Sequence, residues 1–168
     1  MGAIISDCEN YRYVLTREIE QPIKWNRPCL FVMLNPSTAD AELDDPTIRR
    51  CLGFAKREGC TSLTVVNLFA LRSTDPSNLL SHPDPVGPDN DVHIREQVSK
   101  HANGLIVGAW GAHKSTWKLH QRAEHVISML GDAYCLGKTT SGSPKHPLYI
   151  KKDQALIKLE LRDGRILT

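Results

Sequence analysis

The sequence predicts an α/β fold, a three-layer α/β/α sandwich with a mostly parallel central sheet of about four strands and an N-terminal edge strand. Apolar runs of strand length alternate with amphipathic segments along the chain. The runs are nearly continuous, as expected for strands that are covered on both faces. With 168 residues, the chain can bury one core but not two. We therefore expect a single domain over 1–168, with its core at about 10–152.

Five stretches predict the strands. Residues 11–19 alternate imperfectly between apolar and polar side chains, as an edge strand does. Mainly apolar runs at 29–34, 63–68 and 105–110 indicate buried central strands. A fourth, shorter central strand is predicted at 133–136. Most of these runs are followed by a segment in which apolar residues recur at helical spacing. This alternation of strands and helices favours parallel pairing in the centre of the sheet.

The helices are predicted from caps and from helical spacing. Asp45 is the expected N-cap of the first helix, with Pro46 at its first position, and apolar side chains then recur at i, i+3, i+4 and i+7. A second helix is predicted at about 90–101, and Ser115 is the expected cap of a third. The C-terminal part, 153–168, is predicted to form a last helix near 153–159 and a tail.

Composition narrows the functional classes. Formal net charge is only +2, so no global field draws the protein onto nucleic acid, and any such contact needs a local patch. The apolar runs are too short to span a membrane. The five cysteines form no C-x-x-C pair, which favours a reducing cytoplasm. The histidines and carboxylates lack a ligand spacing, so we expect neither a metal nor a cofactor.

Polar residues follow the predicted central strands where each strand ends. Asn35 and Pro36 come directly after the first apolar run, Asn67 closes the second, and a polar loop at 143–148 follows the last. The carboxyl ends of neighbouring parallel strands open onto one crevice. We therefore expect these segments to share a pocket.

The two asparagines are candidates for ligand recognition. Pro36 biases Asn35 toward extended backbone, which puts the Asn35 amide at the lip of the crevice, where it can orient a water molecule. Asn67 interrupts an apolar run, and its amide suits the edge of a nucleobase. An Asx turn remains the alternative for Asn35, and a bond to loop backbone remains the alternative for Asn67. The residues expected to contact a base or other ligand are Pro36, Ser37, Asn67, Phe69 and Arg72.

Two further segments carry residues suited to anions. A tight turn between a strand and a helix lies at 108–115, and a hydroxyl-rich loop lies at 139–147. The expected phosphate- or anion-binding residues are Gly111, Lys114, Ser115, Ser143 and Lys145. In the second loop, His146 can donate to a ligand oxygen as charge develops. A packing role for the glycine and a solvated histidine remain the alternatives.

The chain resembles bacterial proteins grouped as domain of unknown function 1643. The resemblance covers about residues 10–152 and rests on residues 33–40, 65–70, 85–91, 109–111 and 146–149. More distantly, the order of segments is similar to that of the uracil-DNA glycosylase superfamily. That resemblance implies a glycosylase-like fold, with Asn35 positioning the hydrolytic water, Asn67 reading the base and His146 in the position of the superfamily's loop histidine.

This resemblance implies a metal-independent hydrolase that recognises a nucleobase or nucleotide and cleaves an N-glycosidic bond. Asn35 and His146 are the expected catalytic residues, and a nucleobase, a nucleotide or single-stranded nucleic acid is the expected partner. No apolar wedge loop for extruding a nucleotide from duplex DNA is evident in the sequence. The alternative is therefore a noncatalytic module that binds a nucleotide or a nucleic-acid end in the same pocket.

Overall fold

The computed structural model describes residues 1–22, 25–37, 39, 43–112, 117–159, 161–162 and 165–166. They form a mixed α/β fold with a seven-stranded sheet in the order β1-β2-β4-β3-β5-β6-β7 and a separate hairpin, β8-β9. The strands are β1 (Gly2–Ile5), β2 (Arg12–Glu18), β3 (Pro28–Met33), β4 (Ser62–Asn67), β5 (Leu105–Gly108), β6 (Tyr134–Cys135), β7 (Ile157–Lys158), β8 (Leu161–Arg162) and β9 (Arg165–Ile166).

The sheet is mixed rather than mostly parallel, which corrects the prediction. The four predicted central strands, β4, β3, β5 and β6, do pair in parallel, but β1–β2, β2–β4 and β6–β7 are antiparallel. The connection between β1 and β2 is too short for a crossover and permits only antiparallel pairing. The predicted N-terminal edge strand, β2, lies one position inside the edge because β1 covers it.

Four helices lie in the described residues, α1 (Pro46–Arg57), α2 (Asn78–Ser81), α3 (Asn90–Lys100) and α4 (Trp117–Leu130). The predicted N-cap of α1 is confirmed, because the Asp45 carboxylate accepts the Ile48 N–H at 2.8 Å. Ser115, the predicted cap of α4, lies outside the described residues. Among the helices described, none has the length and apolar content needed to cross a membrane.

The predicted C-terminal helix at 153–159 is wrong. Ile157 and Lys158 instead form β7, which pairs antiparallel with β6. Ile157 is 41% exposed and Leu159 is 3% exposed. Both residues of β7 are exposed, as is common at the edge of a sheet. Leu159 follows the strand and packs in the core, and its N–H donates to the Ala133 carbonyl at 2.8 Å.

Helices cover both faces of the sheet. Side chains of α1 pack with Phe31 and Val65 on one face, and side chains of α3 and α4 pack with Leu30 and Val66 on the other. Adjacent residues of β3 and β4 thus point to opposite sides, as the pleat requires. The first turn of α1 stands beside the carboxyl ends of these strands, where it helps to form a cavity.

Backbone pairing continues past the ends of β3 and β4. The Leu68 N–H donates to the Met33 carbonyl at 2.9 Å, and the Phe69 N–H donates to the Leu34 carbonyl at 3.0 Å. Farther along, the Ser73 N–H donates to the Pro36 carbonyl at 2.9 Å. These bonds hold the two polar strand ends side by side.

Candidate functional site

A cavity of about 650 Å³ opens at the carboxyl ends of β3 and β4. Its volume lies within the range typical of small-molecule sites. Six of the predicted site residues line it, drawn from four separate parts of the sequence: Asn35, Ser37, Asn67, Gly111, Lys145 and His146. The convergence expected from the strand ends is therefore present.

Asn67 presents an unused amide to this cavity. Its side chain is 1% exposed, and neither its nitrogen nor its oxygen has a hydrogen-bond partner in the described part of the chain. The alternative of a bond from this side chain to loop backbone is thus not observed. Leaving such a group unsatisfied costs about 1 to 3 kcal/mol, a cost that a bound ligand would remove.

Asn35 is partly engaged by its own loop. Its amide nitrogen donates to the Pro36 carbonyl at 3.0 Å and to the Ser73 carbonyl at 2.8 Å. This pair of acceptors fixes the orientation of the amide, because two carbonyl oxygens must face its nitrogen. The sequence-based expectation was a group that donates and accepts, whereas the folded side chain offers only its oxygen.

His146 lies at the start of a short 3-10 helix (Pro147–Tyr149) and lines the same cavity. The Leu148 N–H donates to its Nδ1 at 3.3 Å, so a neutral ring carries its proton on Nε2. Burial lowers the pKa of His146, and the negative charge of Asp45 acts in the opposite direction. The ring is therefore neutral near pH 7 and offers an N–H donor to the cavity.

Gly111 packs against His146. Its N–H donates to the Pro144 carbonyl at 2.8 Å, so that donor is already used. The residue has φ +78°, and a Cβ built on it would lie 3.1 Å from the His146 Cβ. Glycine is required here both for the backbone conformation and for close contact with residues 143–150, called the histidine loop below.

Arg50 attaches the histidine loop to α1. Its guanidinium donates to the carbonyls of Pro147 and Ile150, and it lies 5.0 Å from the centre of the Phe54 ring. A planar fork of donors suits two carbonyls at once, and the aromatic face accepts the cation. His146 is therefore held between Gly111 on one side and a tether from α1 on the other.

Sequence reasoning missed several residues of the cavity. Arg12, at the start of β2, is 2% exposed and donates to the Ala39 carbonyl, and Thr47 and Tyr149 also line the cavity. The sequence indicates only a helix cap at Asp45, yet Asp45 also lines the cavity. No local signal singles out Arg12, because β2 also carries Thr16, Arg17 and Glu18 among its apolar residues.

The remaining predicted residues lie elsewhere. Pro36 is buried beside Asn35 and does not line the cavity. Phe69 packs in the core on the α3 and α4 side, and Arg72 lines a separate cleft and donates to the Glu9 carbonyl at 3.1 Å. Ser143 lines a separate, smaller pocket. Lys114 and Ser115 fall outside the described residues.

The described part of the chain contains no group of three or more histidine, cysteine, aspartate or glutamate side chains that could hold a metal ion. The cavity instead offers two amides, a neutral imidazole, two cations and one carboxylate. Such a set can bind a polar ligand and stabilise developing negative charge by hydrogen bonding.

Fold and cavity together define an α/β protein with a ligand-sized polar site at the ends of its parallel strands. The chain belongs to the family described as "Protein of unknown function (DUF1643)", whose sequence model matches residues 12–148. No curated protein and no solved structure matches the chain.

Proposed function

We propose that the cavity binds a nucleobase and that the protein hydrolyses an N-glycosidic bond to that base. The observation that carries this proposal is the buried amide of Asn67, whose donor and acceptor are both unused. A base edge presents a neighbouring acceptor and donor, which an asparagine amide complements. The order of segments, which is similar to that of the uracil-DNA glycosylase superfamily, and its three-layer fold form part of the same proposal.

Asn35 would position the attacking water. Its amide nitrogen is held by two backbone carbonyls, so its oxygen is a fixed acceptor for one O–H of a water molecule. Accepting that O–H turns a lone pair of the water toward the anomeric carbon of a bound nucleoside. Holding the reactants in this way lowers the entropic part of the barrier.

His146 would stabilise the departing base. The glycosidic carbon–nitrogen bond breaks with its electron pair going to the base, and the water oxygen bonds to the oxocarbenium-like carbon. The neutral His146 ring donates from Nε2 to the base as negative charge develops. The water loses a proton to solvent and the base gains one from solvent, so that free base and free sugar result.

Two substitutions test this proposal. Asn67→Leu removes an unsatisfied buried amide, so we expect equal or greater stability together with loss of base or nucleoside binding. Asn35→Ala should bind the ligand and fail to release free base. Binding is followed by thermal shift with bases, nucleosides and short single strands, and product by chromatography. Undiminished binding by Asn67→Leu would contradict the assignment, and undiminished turnover by Asn35→Ala would remove that residue from the mechanism.

A noncatalytic binding module is the second candidate. One observation favours it. The Asn35 amide nitrogen already donates to two loop carbonyls, and this structural role alone explains an asparagine at this position. In that case the wild-type chain binds nucleosides or nucleotides through Asn67 and releases no base on prolonged incubation. Product analysis of the wild-type protein thus separates the two candidates.

A further inference from the structure

The charged side chains of the cavity wall are mainly cationic. Arg12 and Lys145 line it, and Asp45 is the one acidic side chain that does so in the described residues. Lys145 is exposed and forms no ion pair within the described ranges. The Asp45 carboxylate is partly neutralised by the Ile48 N–H that it accepts. A negatively charged ligand group is therefore attracted to this wall.

The first turn of α1 adds a backbone donor. Pro46 has no N–H, and the N–H groups of Ile48 and Arg49 are used by the side chain and the carbonyl of Asp45. The N–H of Thr47 has no partner among the described residues, and Thr47 lines the cavity. The N-terminus of a twelve-residue helix carries partial positive charge and favours phosphate.

Asn67 is an independent indication that a ligand occupies this space, because its amide is buried and unsatisfied in the same cavity. A volume of about 650 Å³ leaves room well beyond a single base. Resting on the proposed function, we infer that the ligand is a phosphate-bearing nucleotide, with its base at Asn67 and its phosphate at Arg12, Lys145 and Thr47. A free nucleotide and the phosphorylated end of a single strand share this chemistry.

This inference is tested by measuring how tightly the wild-type protein binds a matched series of ligands. For each base, affinities are measured for the nucleoside, its 5′-monophosphate, and a short single strand with and without a 5′ phosphate. Charge-assisted hydrogen bonds should make the phosphorylated ligands bind about tenfold more tightly or better, and added salt should reduce this gain. A larger gain for the monophosphate assigns a free nucleotide, and a larger gain for the strand assigns a strand end.

The phosphate subsite and the proposed function are contradicted by different results. Nucleoside binding without any gain from phosphate would overturn the phosphate subsite and leave the proposed function intact. Absence of both nucleoside and nucleotide binding would overturn both.

Three variants locate the phosphate. Lys145→Met should weaken binding of the phosphorylated ligands more than binding of the nucleoside, whereas Lys100→Met, which changes an exposed lysine on α3, should alter neither affinity. Asp45→Asn keeps a competent N-cap and removes a negative charge from the cavity wall. It should therefore increase the affinity that a phosphate adds to the ligand. Equal weakening of nucleoside and nucleotide by Lys145→Met, or a smaller phosphate gain in Asp45→Asn, would overturn the subsite.

Discussion

The side-chain nitrogen of Asn90 donates to the backbone carbonyls of Asn67 and Leu68, at 3.1 Å each. Asn90 is the first residue of α3 and is fully buried. A second buried donor reaches the same segment, because Arg122 Nε donates to the Leu68 carbonyl at 2.6 Å. Helices on one face of the sheet thus hold the backbone at the end of β4, and the Asn67 amide on the other side is held with it.

Asn90→Ala should destabilise the protein by about 1 to 3 kcal/mol, since the Asn67 carbonyl loses this buried donor, while the Leu68 carbonyl keeps Arg122 Nε. Urea unfolding measures this loss. Asn78→Ala is the matched control, because Asn78 is an exposed asparagine that donates to the Ser73 hydroxyl at 2.9 Å, and its loss should cost about 0.5 kcal/mol or less. Equal losses for the two variants would show that Asn90 does not stabilise the end of β4.

Gly111→Ala should be more damaging than Gly131→Ala. Both glycines have positive φ, +78° and +63°, so alanine at either position carries about 1 to 2 kcal/mol of backbone strain. Only at Gly111 does the added Cβ meet the histidine loop, at 3.1 Å from the His146 Cβ, whereas nothing lies within 4 Å at Gly131. The additional loss of stability in Gly111→Ala should appear as a lower midpoint of thermal unfolding. It should be accompanied by changed NMR shifts of the His146 ring. Identical behaviour of the two variants would contradict this contact.

The central strands and α1, α3 and α4 could be predicted because apolar periodicity and caps encode them locally. The meeting of Asn35 with Asn67 was also predictable, since parallel strands bring their carboxyl ends together. The position of β1 was not, because four residues of partly exposed strand carry little periodicity and depend on β2 for pairing. The same holds for β7, a strand of two residues formed by contact with β6.

Within the site, local sequence could not indicate which side of the sheet each residue faces after a strand ends. Asn67 still follows the pleat of β4 and reaches the cavity, whereas Phe69, two residues later, packs into the opposite core. Arg12 reaches the cavity from a strand that precedes β3 in the chain. Its role depends on β2 pairing beside β4, which is a long-range contact without a local pattern.

The burial of His146 should make stability depend on pH. Burial lowers its pKa, so the folded chain binds its proton less readily than the unfolded chain, in which the pKa is about 6.5. Stability should therefore fall as pH decreases below about 6.5, until the folded pKa is passed. His146→Gln should show a smaller decrease over this range. The comparison with wild type is needed because burial also lowers the pKa of His101.

An NMR titration of the His146 ring measures directly whether its pKa is lowered. Its midpoint should lie below 6.5, the ordinary value for histidine. A midpoint at or above 6.5 would contradict a neutral ring near pH 7 and would require a different donor state during base release.

Arg50→Lys should loosen the histidine loop, because a single ammonium cannot reproduce the guanidinium bonds to the Pro147 and Ile150 carbonyls or its stacking on Phe54. Hydrogen exchange of the Ile150 amide, which donates to the Pro147 carbonyl at 3.2 Å, should become faster. Ligand affinity should fall with it, since His146 loses its fixed position. Arg49→Lys, at the neighbouring exposed position of α1, should leave both measurements unchanged. Unaltered exchange in Arg50→Lys would contradict this tether between α1 and the loop.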